Sequence, residues 1–374
     1  MSAISEAVPA LGRVVLAHDY LIQMGGAERV VATLHRMFPA APIYTSATDR
    51  ARLLPDFRYA RIVNTWMQTL PGIRTHFKKF FPIYSFAFHS LGRVDADVAI
   101  VSSSGFAKWL RYTDRTRVFC YCHTPPRFFW QPETYLQFEI SNPMLKAAAK
   151  TIIPWLRRSD YEAAQDVDHF IANSNCVRDR IRECYGREST VIYPPVEVER
   201  FQVQTANEGY ALVLSRLVAY KSIDRAVRAY TASGRRLIVV GDGPDRARLE
   251  AMAGPSVEFK GRASDADVTR YMSGCSAFVF PGLEDFGITP VEAQACGKPV
   301  LAFGGGGALE TVIDGVTGMF FHDPSPEAMN AVIDRMERTS WDPHAIRAHA
   351  EQFDERHFMS NLRNFIAAKL EGQP

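Results

Sequence analysis

Several functional classes are excluded by what this sequence lacks. Its six cysteines are scattered through 374 residues with no C-x-x-C pair, which speaks against a disulfide framework and for a reducing compartment. No run reaches the roughly 18 apolar residues of a membrane-spanning helix. Residues 1–12 hold no basic segment leading into a long apolar one, so no secretory leader is expected and a cytoplasmic location is. An excess of one charge is also missing. With 43 basic against 41 acidic residues the net charge is +2, which gives no electrostatic reason to expect nucleic acid. The chain contains no H-E-x-x-H, no nucleophile elbow, no Walker loop and no G-x-G-x-x-G, so motif support for metalloprotease, hydrolase, ATPase or dinucleotide chemistry is absent.

What is present is a regular alternation. Short apolar runs such as Arg13–His18, Val98–Val101, Val118–Cys122 and His169–Ala172 are separated by helical patterns, the first of them Ala27–Phe38. Ala211–Leu214, Arg236–Val240, Ala277–Phe280 and Pro299–Phe303 repeat the theme in the second half. Continuous apolar strands between helices imply parallel sheets covered on both faces. The double proline in Val191-Ile-Tyr-Pro-Pro-Val196 marks a boundary. The expected fold is therefore α/β, with two doubly wound domains, 1–195 and 196–353, facing across a cleft. A helix within 354–374 should pack back toward the first domain.

The near-zero charge conceals a division at that boundary. Residues 1–195 carry 24 basic and 17 acidic residues, and the remainder 19 and 24. The basic half also holds two apolar, cationic stretches, Lys78–Phe88 and Met144–Arg158. Such segments fit either a membrane interface or a buried helix with a solvated basic edge.

Candidate chemistry gathers in four places. In Phe280-Pro-Gly-Leu-Glu284-Asp-Phe-Gly-Ile-Thr-Pro-Val-Glu292, a strand runs into a loop and then a short helix. Thr289 suits its N-cap, Pro290 its first position and Gly297 its end. Glu284 on the loop and Glu292 in the first turn could accept hydrogen bonds from sugar and ribose hydroxyls, while free N–H groups of that turn meet a phosphate. Glu292 also completes a capping box with Thr289, and that reading stays open. In the second place, Arg216 ends a strand and Lys221 precedes a helix that Ser222 could cap. The pair forms either a metal-free diphosphate clamp or two surface charges. Gly25-Gly26, Gly241-Asp-Gly243 and Gly304–Gly307 follow strands and allow close backbone approach or ordinary turns. Finally, His123 stands at the carboxyl end of a strand, before Pro125-Pro126 and an aromatic cluster, as a cleft residue or a structural one.

Together these residues resemble the retaining GT-B glycosyltransferases of family 4. That family carries a Glu, seven residues and a second Glu, matched by Glu284 and Glu292; E-D-F-G-I-T-P-V-E-A-Q-A-C-G-K-P-V follows its pattern almost throughout. Its R-x-x-x-x-K pair falls on Arg216 and Lys221, and its first-domain Gly-Gly on Gly25-Gly26. His18-Asp-Tyr-Leu, Gly25-Gly-Ala-Glu-Arg, His123-Thr-Pro-Pro-Arg127 and Ile192-Tyr-Pro-Pro-Val196 look most like the mannosyltransferase branch typified by WbaZ. Asp285 departs from the usual Gly, and Pro194-Pro-Val-Glu197 from the usual N-G-V-D.

The resemblance implies retaining transfer of a sugar, mannose from GDP-mannose foremost, to a lipid-linked oligosaccharide in bacterial surface polysaccharide synthesis, without metal or other cofactor. UDP-glucose or UDP-N-acetylglucosamine as donor, a nucleotide-sugar epimerase and a bilobal sugar-binding protein are the competing readings. Under it, Glu292 binds the ribose. Arg216, Lys221, Gly25 and Gly26 neutralise the diphosphate. Glu284 and the backbone of Phe286, Gly287 and Ile288 hold the transferred sugar, and His123 approaches that sugar from the first domain. Retention would follow from front-face attack in a closed cleft that excludes water. A polyprenyl-diphosphate acceptor would bring the basic domain to the anionic inner face of the cell membrane as a peripheral protein.

Overall fold

The computed structural model describes residues 11–132 and 143–372. Residues 1–10, on which the expectation of no secretory leader mainly bears, lie outside them. The chain divides into two compact units, residues 1–195 with 358–374 and residues 196–357.

In unit 1 the strands are β1 (Val14–His18), β2 (Ile43–Thr45), β3 (Ile62–Asn64), β4 (Arg93–Val94), β5 (Val98–Ser103), β6 (Arg111–Tyr112), β7 (Arg117–Cys122), β8 (His169–Ala172) and β9 (Ser189–Val191). Seven of them form one parallel sheet in the order β3-β2-β1-β5-β7-β8-β9; β4 and β6 pair separately. All six residues of β5 are buried, as expected of a central strand covered on both faces. Its side chains alternate between two cores. Val98 and Ile100 pack with the helix Gly26–Met37 and with Phe358, Leu362 and Ile366 of the C-terminal helix Glu355–Glu371. Ala99 and Val101 face Tyr84 and Phe88, Leu156 of the helix Pro143–Gln165, and Val177 and Ile181 of the helix Asn175–Tyr185.

A buried ion pair ties that second layer together. Lys108 Nζ donates to Asp160 Oδ1 at 2.7 Å, and Trp130 Nε1 and Tyr185 OH donate to Oδ2 at 2.9 and 2.7 Å. Removing one partner would strand a buried charge, at a cost of about 3–5 kcal/mol.

Unit 2 contains β10 (Ala211–Leu214), β11 (Leu237–Val240), β12 (Val257–Gly261), β13 (Ala277–Phe280), β14 (Val300–Phe303) and β15 (Gly318–Phe321). They form a parallel sheet in the order β12-β11-β10-β13-β14-β15. One face packs on the helices Ile223–Ser233 and Pro326–Arg338 through Val213, Val239, Val279, Leu301, Val227 and Ile333. Both sheets are therefore Rossmann-like, and in each the strand order reverses beside its first strand. For unit 1 the reversal lies between β1 and β5, for unit 2 between β10 and β13. Ligands of such sheets bind outside the carboxyl ends of the strands at that point.

The aromatic stretch Phe80–Phe88 is less exposed than its composition suggests. Tyr84 and Phe88 are buried, and among its aromatics Phe86 alone is exposed. Amphipathic packing of Tyr84–His89 against the core accounts for the difference.

Candidate functional site

Unit 2 brings two of the expected charged side chains together at its switch point. Arg216 lies just past β10. The chain then makes a single 3-10 turn, Ala219–Lys221, and enters the helix Ile223–Ser233 through Ser222. Ser222 does not cap that helix with its side chain. It takes the left-handed conformation at φ 52°, alone among the described non-glycine residues, which turns the chain where a hydroxyl cap would need extended backbone. Backbone strain of this kind tends to collect at functional sites.

Glu284 follows β13 and reaches back across the switch point to form an ion pair with Lys221 Nζ, both side chains being mostly sheltered. Arg216 is exposed and its guanidinium lies 3.4 Å from Tyr220 OH. The loop carrying Glu284 is held from beneath. Arg225 donates to Pro281 O at 3.1 Å and lies 4.6 Å over the Phe303 ring, while Gly307 N donates to Glu284 O at 2.9 Å. The glycine run is thus a packing surface for the loop. At Gly306 (φ 59°) a Cβ would sit 2.3 Å from Glu284 O.

The next helix begins earlier than its sequence suggests. It spans Ile288–Ala295, with Gly287 rather than Thr289 as N-cap. Gly287 adopts φ 93°, and a Cβ there would lie 2.7 Å from Phe280 Cζ, so tertiary packing rather than capping chemistry sets the start. Pro290 becomes the third helical residue, which costs no helical hydrogen bond. Glu292 is the fifth, buried and past the position a capping box requires, so that alternative falls. Asp285 has no left-handed backbone, and position 285 therefore makes no demand for glycine. Phe286 is buried edge-on against Phe353 at 5.6 Å, fixing the backbone around Gly287 and Ile288.

Unit 1 places its expected residues at the other switch point. Gly25 is the N-cap of Gly26–Met37, extended rather than left-handed, and a Cβ there would meet Glu28 Oε2 at 2.8 Å. The bare glycine thus leaves room for a buried carboxylate. His123 continues β7, its N–H donating to Ser103 O at 2.9 Å and its carbonyl accepting from Asn173 Nδ2 at 3.1 Å. Its ring stands edge-on to Tyr121 at 5.3 Å.

Around His123 the structure adds residues that sequence reasoning had not singled out as functional. His18, at the end of β1, pairs in register with Ser102 of β5 and is buried. Its Nδ1 lies 3.0 Å from Ser102 O and 3.1 Å from Ser102 Oγ, and Ser102 Oγ lies 2.8 Å from His123 Nε2. His18 Nε2 lies 3.9 Å from Glu28 Oε1. Burial alone would lower the His18 pKa, but the Glu28 carboxylate, helped by Asp19 and the Ser102 carbonyl, raises it above the ordinary histidine value. Asp19 itself is satisfied by Ser103 Oγ and by the N–H groups of Ser104, Phe106 and Ala107 at 2.6–3.0 Å.

Each unit thus presents polar groups at the ligand edge of its sheet: the Lys221–Glu284 ion pair in unit 2, and a histidine chain in unit 1. Comparison with known proteins assigns the chain to a family. The family model "Glycosyltransferase Family 4" matches residues 24–200 and "Glycosyl transferases group 1" matches residues 196–353. A GDP-mannose-dependent alpha-(1-6)-phosphatidylinositol monomannoside mannosyltransferase of Mycolicibacterium smegmatis is 28% identical over 215 residues, covering 49% of this chain and 56% of that protein. A GDP-mannose-dependent alpha-mannosyltransferase of Mycobacterium tuberculosis is 30% identical over 160 residues, 38% and 42% of the two chains. The chain spans about half the length of the curated relatives it matches. The crystal structure of Anabaena HepE in complex with UDP and glucose shares the fold, with a TM-score of 0.72 at 20% identity over 97% of this chain and 100% of that one. With the two models together spanning residues 24–353, the chain belongs to the group 1, family 4 glycosyltransferases.

Proposed function

We propose that the protein transfers a hexosyl unit from a nucleoside-diphosphate sugar, with mannose from GDP-mannose as the first donor to test, onto a polyprenyl-diphosphate-linked oligosaccharide of a bacterial surface polysaccharide. The observation that carries this reading is the Lys221–Glu284 pair at the unit 2 switch point. It sets a cation for phosphate beside a carboxylate for sugar hydroxyls, the two chemistries that meet at the anomeric C–O–P linkage. GDP-mannose is favoured because the mycobacterial relatives are named for that donor.

In this reading Lys221 and Arg216 of unit 2, and Gly25 and Gly26 of unit 1, neutralise the diphosphate as charge develops on the leaving group. Glu292 accepts from the ribose hydroxyls. Glu284 and the backbone of Phe286, Gly287 and Ile288 hold the transferred sugar, and His123 contacts that sugar from unit 1. No protein nucleophile is assigned, and configuration is retained by front-face attack. The two cations serve where other transferases use a metal, so chelation leaves the rate unchanged. The basic unit 1 would carry the protein to an anionic membrane as a peripheral protein of the cytoplasmic face.

A donor panel tests this directly. GDP-mannose, UDP-glucose and UDP-N-acetylglucosamine are compared by thermal shift, and then by turnover with and without acceptor, in the presence of EDTA. Stabilisation by GDP-mannose and acceptor-dependent release of GDP are expected. Stabilisation by uridine donors alone would overturn the mannose assignment. Conversion of the donor without acceptor would identify an epimerase, and binding without any turnover a binding protein.

A further inference from the structure

The hydrogen bonds around Ser102 run in one direction only. A carbonyl oxygen accepts and never donates, so the 3.0 Å contact between Ser102 O and His18 Nδ1 requires the proton on Nδ1. The Ser102 hydroxyl, 3.1 Å from the same nitrogen, then accepts from His18. Its proton then finds its acceptor in His123 Nε2 at 2.8 Å; an Nε2–H donating to the same oxygen would leave that hydroxyl proton without an acceptor among the described contacts of Ser102 Oγ. His123 Nε2 is consequently an acceptor, and the neutral His123 ring carries its proton on Nδ1.

The far end of the chain keeps this order in place. His18 Nε2 and Glu28 Oε1 are both buried, and among the described residues neither has another hydrogen-bond partner. A protonated Nε2 opposite a carboxylate compensates both atoms, whereas a bare Nε2 would set two buried acceptors against each other. Asp19, the other carboxylate at this edge, is fully engaged by the loop after β5 and does not compete for the imidazole. Gly25 keeps the space that Glu28 needs. The four residues come from β1, β5, the end of β7 and the helix Gly26–Met37, all fixed within one buried sheet edge.

We propose that Glu28, His18 and Ser102 are positioning residues whose hydrogen-bond chain locks His123 in the Nδ1–H tautomer. His123 then meets a sugar oxygen as a hydrogen-bond donor through Nδ1. The consequence for transfer rests on the assignment of His123 to the sugar; the tautomer itself does not.

The test uses the full-length protein labelled with 15N, with two-bond 1H–15N correlation spectra of the imidazoles and the His123 signals assigned by their loss in His123→Gln. His123 should show a protonated Nδ1 and an unprotonated Nε2. Ser102→Ala should move it toward the Nε2–H form that free imidazole favours, and Ser102→Thr, which keeps a hydroxyl, should restore Nδ1–H. Ser102→Ala should also lower kcat about tenfold or more at unchanged donor KM, the scale on which loss of a supporting hydrogen bond acts. Wild-type His123 protonated on Nε2, or a Ser102→Ala spectrum identical to wild type, would overturn the proposal. If instead the tautomer behaves as stated and His123→Gln transfers sugar at the normal rate, the relay stands and the placement of His123 on the sugar falls.

Discussion

Lys221 and Glu284, 63 residues apart in sequence, are joined in an ion pair at the point where the unit 2 strand order reverses. Each is both a candidate ligand group and the charge partner of the other, so their effects on transfer should be coupled. Lys221→Ala and Glu284→Ala are each expected to lower kcat/KM by about two orders of magnitude or more, the scale of one preorganised electrostatic contact. The double variant should lose much less than the product of the two, because either truncation already abolishes the pair. Near-normal turnover in both single variants would remove the pair from the site; strictly multiplicative losses would mean the two act independently.

The loop that carries Glu284 should be sensitive to its packing surface. Gly306 is left-handed at φ 59°, and a Cβ there would stand 2.3 Å from Glu284 O, a backbone atom that cannot yield without moving the loop. Gly306→Ala is expected to reduce transfer at least tenfold, since small displacements of a positioned group are costly. Its strain should destabilise unit 2 by about 1–3 kcal/mol. Activity and urea unfolding of the variant check both, and full activity would show that the loop tolerates the shift.

The elements legible in sequence were those whose own composition determines them. Runs such as Val98–Val101 and Ala277–Phe280 are apolar on both faces and need no partner to be recognised. The three-residue strands β2, β3 and β9 went unread because so short a segment becomes a strand only through the neighbour that sets its register. Helix starts were misread where tertiary contact overrode capping preference. Thr289-Pro290 has the chemistry of an N-cap and first turn, yet Gly287 starts the helix because Phe280 leaves no room for a side chain. Ser222, a good capping residue, is turned into the left-handed region instead. The carboxylates and cations of unit 2 lay in compact motifs and could be found by spacing. The chain from Glu28 through His18 and Ser102 to His123 could not, since Ser102 lies 84 residues from His18 and meets it only by strand register.

The buried imidazole of His18 should make unit 1 sensitive to pH. Although burial works against its charge, Glu28, Asp19 and the Ser102 carbonyl raise its folded pKa above 6.5. A group whose pKa is raised on folding contributes stability that is fully present below the unfolded value and is lost as pH rises through the folded one. The stability advantage of wild type over Glu28→Gln should therefore be larger at about pH 6 and shrink toward alkaline pH. Urea titrations of both proteins across that range measure it, and an advantage that grows with pH would reverse the assignment.

Thiol reactivity should be confined. Burial pushes the Cys120 and Cys275 thiols up to about 12 and the Cys296 thiol up to about 11, far from the thiolate needed for alkylation. Cys176 is half-buried at the second position of the helix Asn175–Tyr185 and is thus more accessible than these three. Brief alkylation of the native protein followed by peptide mass spectrometry should label Cys176 well before these three. Early labelling of Cys120 or Cys275 would mean that the sheet opens locally.

Unit 1 should bind anionic bilayers through a small aromatic and cationic surface. Phe86 and Trp155 are 57% and 48% exposed yet stack with ring centroids 6.2 Å apart, an unusual exposure for two large apolar side chains. Met144 precedes Trp155 by eleven residues, about three helical turns, and is also exposed on that helix, as is Arg158, which pairs with Glu162 one turn on. Lys79 adds an exposed cation on the preceding segment. Aromatics at such a surface insert at headgroup depth, and each nearby cation adds about 1 kcal/mol of attraction to an anionic leaflet. Sedimentation with anionic vesicles at low salt should carry the protein down, and high salt should release it. The double variant Phe86→Ala, Trp155→Ala should weaken binding without altering donor affinity, while neutral vesicles should bind little. If wild type ignores anionic vesicles at low salt, the surplus of basic residues in 1–195 has no membrane role, and the exposed ring pair needs a different partner.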